Sequence, residues 1–179
     1  MNIEQMGQLV TKYLVEKKTN RGTHGYYHRV RVAHIANMIN EKVGGDKVVV
    51  TMAALLHDIG RLHDNDDPDH GYRVAPSLFD AATDLAWVDP VEWGKIAHIV
   101  FEHCLPGPGD FLEMQIVKDA DKLDLFRNKM GGPDPHRLAL DISKNEILHF
   151  KNYVLTEESK IIQRPDFGKK DEKTGVIFD

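Results

Sequence analysis

An apolar segment that ends in a histidine and an aspartate constrains the fold of this chain more than any other feature. Residues 47–60 read KVVVTMAALLHDIG, and the stretch from Val48 to Leu56 is apolar on nearly every side of a helix. A helix of this kind is buried among other elements. Asp46, just before it, is a residue type favoured at helix N-caps. The segment therefore predicts the central helix of a helical domain, with His57 and Asp58 near its end.

Apolar residues elsewhere in the chain also recur at helical spacing. This spacing predicts an amphipathic helix over about residues 2–18 and a second over about 24–42, before Gly44-Gly45. Turn-forming segments such as PGPG separate further helices, predicted over about 70–79, 89–104, 111–129 and from 136 to about 159. No strand-type alternation is long enough for a sheet, and no internal repeat is present. We expect an all-α bundle of about six to eight helices.

Length and composition fit one domain and restrict its partners. The chain has 179 residues, 41% of them hydrophobic and 28% charged, which predicts one domain over residues 1–164 and an irregular charged tail over 165–179. A net charge of −5 offers no basic excess for long nucleic acid. The single cysteine, Cys104, excludes an internal disulfide and a thiolate zinc site, and it fits a cytoplasmic protein. No apolar run approaches the ~20 residues of a membrane span, so we expect no membrane partner.

The His57-Asp58 pair needs partners from other parts of the chain. A charged aspartate at the end of an apolar helix costs several kcal/mol to bury unless a counter-charge accompanies it. Adjacent helical residues point ~100° apart, so the two side chains can share an ion only if other helices complete the site. A lone histidine in such a place is more often a structural residue with one hydrogen bond. Other potential ligands in the chain therefore decide between the two interpretations.

Two further groups of such residues exist. Upstream, His24 and His28 have i, i+4 spacing, and Arg31 falls on the same side of the predicted helix. Downstream, three carboxylates crowd into six residues, at Asp119, Asp121 and Asp124. A bound cation would relieve the repulsion among them. Together with His57 and Asp58, these groups favour a metal site.

Three segments in this order resemble the successive motifs of the HD superfamily of metal-dependent phosphohydrolases. They are HRVRVAHIA at 28–36, AALLHDIGR at 53–61 and IVKDADKLD at 116–124. The resemblance implies an HD-type helical bundle and a divalent ion held by His28, His57, Asp58 and Asp121. It favours Asp121 over Asp119, because the ligand in this family follows the alanine of an Ala-Asp pair. Asp119 would then support a ligand or face solvent.

A second ion is also implied by the resemblance. DHGYRVAPSLF at 69–79 and IAHIVFEHC at 96–104 look like the family segments that supply its histidines, here His70 and His103, with Asp58 bridging. The di-iron cyclic-dinucleotide members have two consecutive histidines, whereas Cys104 follows His103 here. We therefore expect one tightly bound ion and a weaker second one. The alternatives for His70 and His103 are a helix cap or a surface residue.

Three basic residues are candidates for binding phosphate. Arg61 stands where many relatives have a lysine, and Arg31 and Lys122 lie within the matching motifs. The alternative for each is a solvated surface position. His63, His98 and Glu102 could support the site or lie on the surface, and His34, His136 and His149 remain unassigned.

The expected function is hydrolysis of a phosphoester or pyrophosphate bond, in a nucleotide or a related small phosphate compound. A histidine and carboxylate site accepts manganese, magnesium, iron, cobalt, nickel or zinc. The ion would activate water, Asp58 would help to orient it, and the basic residues would neutralise the phosphoryl oxygens. Two alternatives stay open, a di-iron oxygenase of the same fold and a non-catalytic regulatory domain. The sequence leaves the oligomeric state open, a homo-oligomer included.

Overall fold

Helices account for all the regular secondary structure in the described part of the chain. The computed structural model describes residues 3–11, 13, 24–63, 67–128 and 131–162. Its α-helices are α1 Ile3–Thr11, α2 Tyr26–Val43, α3 Lys47–Leu56, α4 His70–Arg73, α5 Ala75–Asp84, α6 Pro90–Glu102, α7 Leu112–Asp124, α8 Asp141–Asn145 and α9 Ile147–Ile162. Short 3-10 turns cover Leu125–Asn128 and Pro135–Arg137. The all-α prediction is confirmed, and none of these helices is long and apolar enough to cross a membrane.

Helix α3 lies at the centre of the bundle, as its apolar sequence predicts. It packs against α1, α2, α6 and α7, and every residue from Val49 to Leu56 is buried. The Asp46 carboxylate accepts hydrogen bonds from the amides of Val48 at 2.9 Å and Val49 at 3.1 Å, which starts the helix. Burial of each large apolar side chain contributes about 1.5–3 kcal/mol. The end of α3 is therefore a rigid platform for the two residues that follow it.

Helix ends place the polar residues around this platform. Because α3 ends at Leu56, His57 and Asp58 lie in the turn that follows, and His103 lies just after the end of α6. Helix α4 lies close to the ends of both α3 and α6. A Cβ at Gly60 would lie 2.2 Å from the His70 carbonyl oxygen, and a Cβ at Gly71 would lie 2.4 Å from that of Phe101. Only glycine allows these approaches, so the two glycines bring His70 between Asp58 and His103.

Several helix boundaries differ from those that the periodicity predicts. His24 precedes α2, which is capped by the extended Gly25, so His24 and His28 do not share a helix. The helix predicted over 70–79 is divided into α4 and α5, because Pro76 in the first turn of α5 lacks the amide of a continuous helix. Helix α7 tightens into a 3-10 turn after Asp124, and the last helix is divided into α8 and α9. Residues 12, 14–23 and the predicted tail at 165–179 lie outside the described residues.

Candidate metal centre and active-site cavity

Four buried histidines share one hydrogen-bonding arrangement at the centre of the molecule. Each uses Nδ1 to contact a backbone carbonyl or a carboxylate: His28 contacts Asp124 at 2.7 Å, His57 the Ala54 carbonyl at 2.7 Å, His103 the Val100 carbonyl at 3.0 Å, and His70 the Asp67 carbonyl. A carbonyl oxygen only accepts, so Nδ1 is the donor and carries the proton. The Nε2 atoms therefore face one another, and each can donate a lone pair to a metal ion once any proton on it has left, which is the arrangement of metal-binding histidines.

Four side chains converge on one point, which we call the first metal position. The His28 Nε2 atom lies 3.3 Å from His57 Nε2, 3.4 Å from Asp58 Oδ2 and 3.3 Å from Asp121 Oδ1. The His57 Nε2 atom lies 3.5 Å from Asp58 Oδ2 and 3.7 Å from Asp121 Oδ1. Atoms that coordinate one ion at about 2.0–2.2 Å are separated from each other by roughly 3.0–3.6 Å. The structure thus brings together all four residues expected as ligands, in a geometry that fits a divalent ion.

The other oxygen of Asp58 faces a second group, which we call the second metal position. Asp58 Oδ1 lies 3.1 Å from His70 Nε2 and 3.6 Å from His103 Nε2, and the two Nε2 atoms are 2.8 Å apart. Asp58 is therefore placed to bridge the two positions. The second position has these three donor atoms, one fewer than the first. Cys104 is not among them: its Sγ donates to the Pro68 carbonyl, and burial raises the pKa of the thiol.

The electrostatics of the metal-free centre keep its carboxylates ionised. Burial alone would raise the pKa of Asp58, but the charge of His57 and hydrogen bonds from other histidines hold it well below its usual value. One of these histidines is His24, whose Nδ1 lies 2.9 Å from Asp58 Oδ2. Burial also opposes a charge on His28, yet hydrogen bonds with carboxylates raise its pKa to about 9. His28 with such a pKa carries a proton at neutral pH, which a metal ion would have to displace.

Arg31 lies behind the centre and is not among the residues that line the cavity described below. Its Nε donates to Asp124 Oδ1 at 2.8 Å, and its Nη1 contacts Glu158 at 2.8 Å, with the side chain only 6% exposed. Arg127 contacts the same fully buried Asp124 carboxylate at 2.8 Å. Asp124 thus joins two arginines to the Nδ1 of His28. The sequence analysis missed Arg127, although its i, i+3 spacing from Asp124 is the relevant signal.

A cavity of about 790 Å³ opens over both metal positions. Asp58, Asp121, His70 and His103 form part of its lining, and the basic residues around it are Arg61, Lys118, Lys122, His136 and Arg137. Arg61 Nε lies 3.3 Å from Asp58 Oδ1. The expected phosphate-binding residues Arg61 and Lys122 thus lie at the cavity, and their roles stay predictions. Lys118, His136 and Arg137 had no assigned role in the sequence analysis.

One wall of the cavity is a loop held by Asp119. The fully buried Asp119 carboxylate accepts hydrogen bonds from the amides of Ala139 at 2.8 Å and Leu140 at 2.9 Å. Lys122 Nζ donates to the Arg137 carbonyl at 2.8 Å. Asp119 is therefore buried. The alternative that it faces solvent does not describe its position. It supports the loop that carries His136 and Arg137.

Two of the remaining histidines lie on the surface. His98 pairs with Glu102 at 3.1 Å on the outer side of α6, with both side chains more than 40% exposed, and the pair forms a looser group with Asp110. His34 pairs with Glu4 at 3.1 Å. Neither residue lines the cavity over the metal positions. Of the two expectations for His98 and Glu102, support of the site or a place on the surface, the second describes their position.

Comparisons with known proteins identify the family and the fold. The model of the HD domain family matches residues 25–125, which is more than half of the chain. An HD-superfamily hydrolase from Bacillus thuringiensis has a similar structure, with a TM-score of 0.56, 21% identity and coverage of 90% of this chain and 95% of the other. YpgQ of Bacillus subtilis, solved in complex with ADP, has a TM-score of 0.57, 19% identity and coverage of 91% and 95%. No curated protein matches the sequence.

Proposed function

The chain belongs to the HD domain family, and from this premise we propose that it is a metal-dependent phosphohydrolase acting on a nucleotide or a related small phosphate compound. The observation that carries the proposal is the convergence of His28, His57, Asp58 and Asp121 under a cavity with basic walls. Basic walls and a metal position in one cavity suit a phosphate ester, because together they neutralise the negative charge on its phosphoryl oxygens.

The donor atoms fit a divalent ion of the borderline or hard class. Imidazole nitrogens and carboxylate oxygens suit manganese, magnesium, iron, cobalt, nickel and zinc. When bound, such an ion supplies a Lewis acid for a phosphoryl oxygen and lowers the pKa of water. Because Nδ1 of His28 and of His57 is already used in a hydrogen bond, both rings are fixed, and their Nε2 atoms would hold the ion.

The protein's own residues then have separate roles in the reaction. Asp58, with one oxygen toward each metal position, accepts a hydrogen bond from the attacking water and orients it. Arg61 and Lys122 bind the phosphoryl oxygens and neutralise their charge. Arg31 acts at a distance: through Asp124 it orients His28, so we propose it as a positioning residue in place of the phosphate contact expected from sequence.

Two observations support a nucleotide as the substrate class. The cavity volume of about 790 Å³ lies within the range of small-molecule sites, roughly 300–1,000 Å³. The similar structure of YpgQ was solved with ADP. A larger polymer such as duplex nucleic acid would need a basic surface that a chain of net charge −5 does not favour.

A metal-reconstitution screen tests the proposed function. Protein stripped with a chelator is reloaded with each of the six ions and assayed on nucleoside mono-, di- and triphosphates, cyclic nucleotides and simple phosphoesters. We expect phosphate or pyrophosphate release with at least one ion, and no release by the His57→Ala variant. Failure of every ion and substrate pair, with the ion demonstrably bound, would contradict the proposal.

A di-iron oxygenase is the second candidate, because the second metal position gives Asp58 a bridging geometry. Two ions joined by a carboxylate are the arrangement that such an enzyme requires. Anaerobic loading with iron followed by measurement of oxygen uptake distinguishes the two candidates. Oxygen consumption coupled to substrate turnover would favour the oxygenase, whereas hydrolysis under anaerobic conditions favours the phosphohydrolase.

A further inference from the structure

A second group of metal-type ligands lies outside the cavity, and we call it the outer cluster: His98, Glu102 and Asp110. His98 and Glu102 are four residues apart on α6, so they share one face of the helix. Asp110 comes from the loop between α6 and α7, just before Phe111 at the start of α7. One donor atom from each of the three residues lies within 4.8 Å of the other two. None of the three residues lines the cavity over the metal centre.

The distances within the outer cluster suit an ion with little rearrangement. His98 Nε2 lies 3.1 Å from Glu102 Oε2, which is a normal separation of two donors on one ion. The third donor is looser by about 1 Å, but Asp110 is exposed, so rotation of its side chain can bring an oxygen closer. The His98 ring also packs edge-on against Phe111, with 5.6 Å between the ring centroids. This contact holds the imidazole beside the loop that carries Asp110.

The charges around the outer cluster favour a cation. In the described part of the chain, neither Glu102 nor Asp110 forms an ion pair with a lysine or an arginine. Glu102 is also the last residue of α6, whose final turn has no basic residue, so its carboxylate lies at the negative end of the helix dipole. Lys118 acts on both carboxylates through space, but its Nζ donates to the Leu105 carbonyl at 2.7 Å. A divalent ion would relieve the repulsion between the two carboxylates and offset the dipole.

The pair of His34 and Glu4 shows why the third donor matters. This pair has the same separation of 3.1 Å and also lies at the surface. No third ligand residue of the described ranges joins it within the distance that groups the outer cluster. One imidazole and one carboxylate make an ordinary surface contact. Three such donors, from a helix and a loop, are the ligand set of a borderline divalent ion with water in its remaining positions.

We propose that the outer cluster binds a divalent ion of the borderline class, such as zinc, cobalt or nickel, separate from the ions of the metal centre. The ion joins the last turn of α6 to the end of the loop that leads into α7. The other side of this loop lines the cavity, through Leu105, Pro106, Gly107 and Pro108. The outer ion therefore stabilises one wall of the cavity from outside, without contacting the substrate.

Zinc titration of chelator-stripped protein tests the site without turnover. The wild type should bind one zinc ion more than His98→Ala does. The matched control is His34→Ala, which removes the surface pair without a third donor and should bind as many ions as the wild type. Loss of a contact that only orients a ligand weakens metal binding roughly 10- to 100-fold. Glu102→Gln and Asp110→Asn each replace a charged donor by a neutral amide, so they should weaken the outer step by at least a similar factor.

Hydrogen exchange gives a second readout that is specific to the loop. Zinc should slow amide exchange at Leu105, Gly107, Gly109 and Asp110 in the wild type and in the His57→Ala variant, whose metal centre is impaired. His98→Ala should remove this effect of the outer ion. If His98→Ala, Glu102→Gln and Asp110→Asn bind zinc with the stoichiometry and affinities of the wild type, the outer site is wrong. Loss of an ion from His34→Ala as well would reduce the binding to non-specific surface contact, and unchanged exchange with the outer ion bound would contradict its effect on the wall.

Discussion

The Nδ1 atom of His28 donates to the buried Asp124 carboxylate at 2.7 Å, across 96 residues of sequence. The same carboxylate holds Arg31 and Arg127, so a ligand of the first metal position is oriented by groups from two different helices and a 3-10 turn. Such outer contacts fix the ring and its tautomer, and their loss typically costs roughly 10- to 100-fold in metal affinity. The metal centre thus depends on the packing of α2 against α7.

The four ligands of the first position should act as a unit. Replacing His57 or Asp58 by alanine removes one of four converging donors, so we expect loss of retained metal and of hydrolysis. Metal content after gel filtration and turnover are the measurements. His34→Ala is the control, because His34 lies on the same helix as His28 but pairs with Glu4 at the surface. Full metal content and turnover in either ligand variant would overturn the assignment.

Two arginines near the centre should respond differently to replacement. Arg61→Ala should raise KM and leave metal content unchanged, because Arg61 faces the cavity. Arg31→Ala removes one of the two arginines that pair with the buried Asp124 carboxylate. We therefore expect the free energy of unfolding to fall by about 3–5 kcal/mol and metal binding to weaken. Thermal melts, metal analysis and kinetics on both variants check this contrast. A stable Arg31→Ala protein with normal metal affinity and an altered KM would restore the phosphate-binding role.

Metal affinity should increase with pH. The pKa of His28 is raised to about 9 in the metal-free protein, so its proton must leave before Nε2 can bind an ion. Affinity should therefore rise by up to about tenfold per pH unit through the neutral range and level off above pH 9. Titrations in buffers of different ionisation enthalpy count the released protons. A pH-independent affinity between pH 6 and 8 would contradict this prediction.

The same shift affects the stability of the metal-free protein. Because the folded pKa of His28 lies above its ordinary value of 6.5, its contribution is complete below pH 6.5 and is lost as pH rises through about 9. Melting temperatures of chelator-treated protein should therefore fall over this window. The reloaded protein should not show that fall, since the ion replaces the proton. Parallel pH series of the two forms provide the comparison.

Two ions should bind with unequal affinity. The first position has four donor atoms and the second has Asp58, His70 and His103, so the second ion should bind more weakly. His70→Ala and His103→Ala should weaken only the second binding step. Gly71→Ala, which forces α4 away from the end of α6, should have the same effect without removing a ligand. Two equal affinities in the wild type would contradict the prediction and favour the oxygenase.

The parts of the structure that sequence predicts are those with local signals. Asp46 caps α3 as expected, because an N-cap depends on residues within one turn. The central position of α3 follows from its apolar surface. The grouping of His28, His57, Asp58 and Asp121 came from the order of the motifs and could not be derived from spacing, since α2, the turn after α3 and α7 all contribute to it.

The features that sequence did not predict depend on long-range packing. The role of Arg31 is set by Asp124 and Glu158, which lie 93 and more residues away along the chain. Lys118 is typical in sequence of a solvated lysine, and only the packing around Leu105 buries it. Arg137 reaches the cavity because Asp119 holds its loop, and no local pattern identifies a carboxylate as the partner of two backbone amides that lie 20 and 21 residues away.

The Asp119 contact has a consequence for how the ligand preference of this cavity can change. Asp119 holds the loop through the amides of Ala139 and Leu140, which every residue type except proline provides. The attachment is therefore insensitive to the side chains at these positions and at the neighbouring His136 and Arg137. Evolution, or a designer, can vary the residues that face the substrate while the loop stays attached to α7. Ligand preference and structural integrity are thus separable in this wall, and a library at positions 136 and 137 is the natural starting point for changing what the cavity binds.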